Sequence, residues 1–119
     1  MASHGTGKGS LDERVLGHLL RAMGSDAEFR EMLHEFLLSS DALLADLNAA
    51  AWQGRLHDLE RTAHTMKSMA HVVGALALET TCRDLELQAR GHQEVPYEAV
   101  HGLSTQIHEA QGAVERFLS

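Results

Sequence analysis

A single proline, Pro96, stands in the 119 residues, and nowhere do apolar and polar residues alternate over the length of a strand. Proline breaks helices and alternation marks half-buried strands, so a chain with so little of either, and rich in Leu and Ala, is confined to packed helices. Ser10 with Glu13, and Ser25 with Glu28, have the spacing of a capping box and predict helix starts. Leu11, Val15, Leu16, Leu19 and Leu20 form the first apolar face, which Gly24 ends. Phe29, Leu33, Phe36, Leu37, Leu43, Leu44 and Leu47 give the second helix a broad apolar face up to Gln53-Gly54. Ser39, Ser40 and Asp41 are weak helix formers inside it and mark where a kink would fall.

The third helix is predicted from Arg55 to Val73, with Leu56, Leu59, Ala63, Met66, Ala70 and Val73 at core spacing. Gly74 is placed to close it in the left-handed conformation. A fourth helix follows with Leu78, Cys82, Leu85 and Ala89 inward, then a loop from Gly91 to Pro96. The fifth carries Tyr97, Val100, Leu103, Ile107, Val114, Phe117 and Leu118. Short connections make neighbouring helices antiparallel. The expected fold is all-α: an antiparallel four-helix bundle with an additional short N-terminal helix.

The length suits one domain. Residues 1–10 (MASHGTGKGS) lack apolar periodicity and read as a disordered linker or a cloning remnant, which leaves 11–119 as the helical domain. Ten Lys+Arg against 17 Asp+Glu give a net charge of -7, which argues against nucleic acid as a partner. No stretch approaches the ~20 apolar residues of a membrane span, so no membrane contact is expected of this segment. With its apolar faces used by five helices, the chain is expected to be a monomer. The lone Cys82 excludes an intramolecular disulfide framework and reads as a small buried hydrophobe. No Gly-rich phosphate loop of the Walker type is present. Met23, Met32, Met66 and Met69 read as packing, and Trp52 as a cover over the bundle's edge.

Nine histidines demand an explanation. At ~100° per residue, His64 falls roughly 140° from the centre of the third helix's core stripe, on the solvent face. His57, Ser68 and His71 share that face. Lys67 stands at its border, with a stem that can lie along apolar surface and an ammonium that can swing toward His64. An exposed histidine is ordinarily a solvated polar residue, and that reading holds for His57, His71 and His92. His64 differs in sitting mid-helix with a cation three residues on and a small residue four on. Metal binding is the rival explanation. No His pair occurs at i, i+4, and successive sevens along the third helix are about 10.5 Å apart, too far for one ion. Glu31-x-x-His34 and Glu98-x-x-His101 match a di-iron pattern, but the angle rule turns both histidines outward.

The run Ala63-His64-Thr65-Met66-Lys67-Ser68, followed by Gly74-Ala75, resembles the signature of histidine-containing phosphotransfer (HPt) domains, roughly His-x-Leu-Lys-Gly with Gly-Ala or Gly-Leu ten residues after the histidine. Leu56 and Leu59 before it, and Leu85-Glu86 after it, fit the same resemblance, which extends over about residues 11–119. Met66 replaces the usual Leu, Ser68 the usual Gly, and Met69 a usually small residue.

The resemblance implies a phosphocarrier, without independent enzyme activity, that relays a phosphoryl group between aspartates of response-regulator receiver domains. His64 would accept the phosphoryl group, Lys67 would offset its charge, and Ser68 would stay small or add a hydrogen bond. The other carboxylates and His71 would form a solvated face. Val72 and Ala75, solvent-side by the angle rule, would border the partner-docking surface. No cofactor would be bound stably, and Mg²⁺ would come from the receiver. A hybrid sensor kinase in the same chain is a further expected partner, and the location would be cytoplasmic, free or as a domain of a membrane sensor kinase. The alternative is a non-catalytic protein-interaction module on the same fold.

Overall fold

The computed structural model describes residues 11–92 and 94–119. Five helices follow in order: α1 (Glu13–Met23), α2 (Asp26–Gln53), α3 (Leu56–Val73), α4 (Leu76–Arg90) and α5 (Tyr97–Leu118). No strand occurs among the described residues. The architecture is the expected all-α bundle, α2 to α5 forming the four long members and α1 the short additional one. The expectation for residues 1–10 lies outside the described residues.

The caps show why the helices start and stop where they do. Ser25 caps α2 by accepting from the Glu28 N–H. At α1 the cap is Asp12, whose Oδ1 accepts from the Val15 N–H at 3.0 Å, so the helix starts at Glu13 rather than at Ser10. Asp12 is the competing cap: a carboxylate there satisfies a free N–H and also faces the positive end of the helix dipole. α2 runs without interruption through Ser39, Ser40 and Asp41. The weak formers do not break the helix, because their side chains are bonded within or beside it. Ser40 is fully buried, donates to the Leu37 carbonyl, and accepts from Gln111 Nε2 at 2.9 Å. That same amide bonds Asp41 Oδ1 at 2.8 Å and so pins α5 to α2.

Two identical turns make the hairpins α2–α3 and α3–α4. Gly54 and Gly74 both adopt positive φ, 69° and 80°. After each, the next residue's N–H reaches back five residues: Arg55 to the Ala50 carbonyl and Ala75 to the Ala70 carbonyl, both at 2.9 Å. This is the Schellman closure, which turns the chain back within two residues and fixes antiparallel neighbours. In the α4–α5 loop it is His92, not Gly91, that takes the left-handed conformation, at φ 59°.

The core holds nearly all the residues that the periodicity assigned to it. Phe29, Leu33 and Leu47 of α2, Leu59, Ala63, Met66, Ala70 and Val73 of α3, Leu78 and Cys82 of α4, and Leu103, Ile107 and Val114 of α5 are all essentially inaccessible. The rings of Phe29 and Phe117 meet edge to face, centroids 5.7 Å apart. Burial pushes the Cys82 thiol up to about 12, so it is a packed, unreactive group. Two expectations fail at helix ends. Trp52 is 87% exposed beside the Gly54 turn, and Met23, the last residue of α1, is also exposed; near a terminus no neighbouring helix remains to cover the side chain. Met66 is buried, and Met32 and Met69 pack half-buried against the core.

Gly74 carries a second constraint. A Cβ there would lie 2.9 Å from Val15 Cγ1 and 3.1 Å from Leu19 Cδ1, whereas one at Gly54 would meet nothing within 4 Å. Both substitutions by alanine force a left-handed residue, at a cost of about 1–2 kcal/mol. Gly74→Ala must in addition displace the Val15 and Leu19 side chains of α1, and should lose roughly 1 kcal/mol more than Gly54→Ala. Thermal unfolding of the two variants checks this: equal losses would mean that α1 does not seat on the α3–α4 turn.

Candidate functional site

His64 lies in the middle of α3, with 59% of its side chain exposed. Its Nδ1 is 2.9 Å from Oε2 of Glu86, on α4. The other oxygen of Glu86 accepts from Lys67 Nζ at 2.8 Å. Arg90 Nη2 also donates to Oε2, at 2.8 Å, while its Nε bonds Glu60 Oε2 at 2.9 Å. Glu86 is itself only 4% exposed, so its carboxylate is a buried hub with three donors arranged around it. Burial pushes the Glu86 carboxyl up, but the hydrogen bonds from Lys67 and His64 outweigh it and hold the group below its ordinary value. Glu86 is therefore ionised near neutral pH.

An ionised carboxylate only accepts hydrogen bonds. The network thus assigns the proton of His64 to Nδ1 and the unshared pair to Nε2. The α3–α4 hairpin sets up this contact. In an antiparallel pair, seven residues up one helix match seven down the other. The pair His64–Glu86 accordingly recurs two turns away as His71–Glu79, where Nδ1 is 3.2 Å from both carboxylate oxygens. Arg83 approaches Glu79 at 3.8 Å.

The remaining sequence-predicted residues fall as follows. Lys67, 25% exposed, reaches across to α4 rather than back along α3. Ser68 is exposed, and its hydroxyl donates to the His64 carbonyl at 3.3 Å, the bond a helical serine makes with its own turn. Val72 is exposed at 53%; Ala75 is buried at 2% and cannot border a docking surface. The angle rule fails at Ala75 because the left-handed Gly74 takes the chain off the α3 axis, and Ala75 becomes the first-turn flank of α4. Glu86 does not stand out in the sequence as a functional residue: its i, i+4 relation to the buried Cys82 is the one signal there that sets it on α4's inward border.

Beside His64, one turn further along α3, an apolar groove of about 260 Å³ opens between α2 and α3. Met32 and Phe36 line it from α2, and Ser68, Met69 and Val72 from α3. His57 is exposed, and so are His34 and His101, the two histidines of the di-iron pattern. Among the described residues, no group of three or more His, Cys, Asp or Glu is placed to hold a metal ion. Nor is any helix there long and apolar enough to cross a membrane.

The site is thus an outward histidine on a helical bundle, bonded to a buried carboxylate that a lysine also contacts. The family profile described as Hpt domain matches residues 31–113, and the chain belongs to that family. The fold is similar to the crystal structure of histidine-containing phosphotransfer protein B (HptB) from Pseudomonas aeruginosa PAO1, with a TM-score of 0.77, 29% identity, and coverage of 89% of this chain and 91% of that one. No curated protein sequence matches the chain significantly. Hpt domains are phosphocarriers, and the function here is histidine phosphotransfer in a phosphorelay, with two-component proteins such as receiver domains and kinases as partners.

Proposed function

We propose that His64 is the residue that carries the phosphoryl group, and that it relays the group between receiver aspartates. The observation that carries this reading is the bond from His64 Nδ1 to the buried, ionised Glu86. It leaves Nε2 as the nucleophile on an exposed ring. In the forward step the Nε2 unshared pair attacks the phosphorus of an aspartyl phosphate in line. The N–P bond forms as the acyl P–O bond breaks, and the aspartate carboxylate leaves with the electron pair. The ring gains positive charge as it attacks, and Glu86 stabilises it through the Nδ1–H. Return of the group to a second receiver aspartate reverses these bonds.

Lys67 faces the charge that arrives, about -1.5 to -2 for a phosphoryl group. Ser68 keeps the approach to His64 low, and its hydroxyl is within reach of a phosphoryl oxygen once it turns from the His64 carbonyl. Main-chain amides mid-helix are already bonded and offer nothing to an oxyanion. The receiver supplies the magnesium ion that such a transfer uses. A receiver domain, free or joined to a sensor kinase in one polypeptide in the cytoplasm, docks on the α2–α3 groove, with Val72 at its edge. Met69, where the family prefers a small residue, gives that groove much of its apolar lining. The chain has no catalytic role apart from its partner.

Incubation with a phosphorylated receiver domain and Mg²⁺ tests the reading. A phosphoryl group that is stable to alkali and labile to acid should appear on the chain; none across a panel of receivers would count against it. Val72→Asp places a charge in the groove and should raise the receiver concentration for half-maximal rate about tenfold, the scale of one interface anchor. The maximal rate should stay near wild type, and an unchanged half-saturation would move the docking surface elsewhere.

A further inference from the structure

Arg90 contacts Glu86 but has no part in the transfer mechanism above. Its guanidinium spans the two helices, bonding Glu86 Oε2 on its own helix and Glu60 Oε2 on α3. Glu60 lies one turn before His64 and is 24% exposed. Oε2 is also the oxygen that accepts from His64 Nδ1. Two cations, Lys67 and Arg90, thus serve one buried carboxylate, and with Glu60 and a neutral imidazole the group sums to zero charge.

We propose that Arg90, tethered by Glu60, is a positioning residue that frees Lys67 to change partners. While His64 is unmodified, Lys67 is bonded to Glu86. When the phosphoryl group arrives, Lys67 turns to its oxygens, and Arg90 remains and keeps Glu86 compensated. The inference rests on His64 being the phosphoryl acceptor.

The two cations are built for these different tasks. Lysine is a point charge with three donors on a flexible stem, and can re-aim; arginine is a planar fork, here held at two points. Without Arg90, the departure of Lys67 would leave the buried carboxylate with the His64 Nδ1–H alone, next to a dianion, and under-compensating a buried charge is destabilising. Lys67 would then stay on Glu86, and the phosphoryl group would lose its cation.

The test is a double-mutant cycle on the rate of transfer from a phosphorylated receiver, with the phosphoryl group mapped to His64 and folding checked by thermal unfolding. Arg90→Gln should slow transfer about tenfold, the scale of one hydrogen bond to a charged group. Lys67→Ala should cost about tenfold in the wild-type background but less than about twofold once Arg90 is gone, since coupled residues do not add. Glu60→Gln, which loosens the tether, should fall between wild type and Arg90→Gln. Arg90→Lys, which retains the charge and is expected to fold, should recover part of the rate. A rate for Arg90→Gln within about twofold of wild type, or the same Lys67→Ala loss in both backgrounds, would overturn the inference. A lowered melting temperature with no such coupling would show a structural clamp only, and overturns it too. Failure of the acceptor assignment looks different: wild-type protein would then carry no phosphoryl group at His64, and both ideas would fall together.

Discussion

His64→Gln should reduce phosphoryl transfer from a receiver by more than about 1,000-fold while leaving the protein folded and able to bind the receiver. The size follows from the chemistry: the amide has no unshared nitrogen pair able to form an N–P bond, and no other residue in the site replaces it. The ring is 59% exposed and contributes little to the core, so thermal stability should fall by at most about 1 kcal/mol, the value of its hydrogen bond to Glu86. Radiolabel transfer with binding measured in parallel checks both halves. Retained binding without transfer separates the phosphocarrier from an interaction module on the same fold. Transfer that survives the substitution would remove His64 from its assigned role.

Glu86→Gln should be the next most damaging change. It replaces an acceptor-only group by one with a donor side. If the amide NH₂ faces His64, the ring must turn its proton to Nε2, and the nucleophilic pair is lost at the position where the partner docks. If the amide oxygen faces His64, the NH₂ is driven against Lys67. Removing the group that orients a metal-bound histidine typically costs 10- to 100-fold, and a loss of at least about that size is expected here in transfer rate. Stability should fall as well, by about 1–3 kcal/mol, because Lys67 and Arg90 lose a charged partner. The pH dependence has a definite sign. The carboxyl of Glu86 is held below its ordinary value in the folded protein, so its contribution is fully present above the unfolded range near pH ~4.3. It is lost as pH falls through the lower folded value. Glu86→Gln should therefore lose part of the wild type's stability dependence in that acidic window, and an unaltered profile there would contradict the ionised hub.

Much of this was legible in the sequence where the physics is local. Helix periods, the Ser25 cap and the two closing glycines depend on residues within a turn of one another, and they placed α2 to α5 within a residue or so of their observed bounds. The outward aim of His64 followed from the angle rule because α3 is one unbroken helix from Leu56 to Val73. The same rule failed two residues later, at Ala75, because it assumes a helix that Gly74 has already ended. Glu86 was harder to see. Its place in the site depends on the register between α3 and α4, a tertiary fact, and read on its own helix it is one more carboxylate in an acidic chain. The register was nonetheless implicit: a turn centred on Ala75 sets residue 64 opposite residue 86. Lys67 was read as a cation near His64, and the structure shows it held by the buried carboxylate between them. Under the proposed mechanism Lys67 must therefore leave Glu86 before it can meet the phosphoryl group, a step that its sequence position alone did not imply. The exposed Trp52 and the unbroken Ser39-Ser40-Asp41 run show the same boundary, since both depend on which neighbouring helix is there to cover or bond the side chain.

The central claim is that Glu86 fixes the proton of His64 on Nδ1 so that Nε2 does the chemistry. Nitrogen-15 and phosphorus-31 NMR of the protein, before and after phosphorylation by a receiver, tests it most directly. The account predicts a resting His64 with its proton on Nδ1, and after transfer a single phosphohistidine at Nε2 of that residue. A resting Nε2–H tautomer, or a phosphoryl group on Nδ1 or on another histidine, would contradict it.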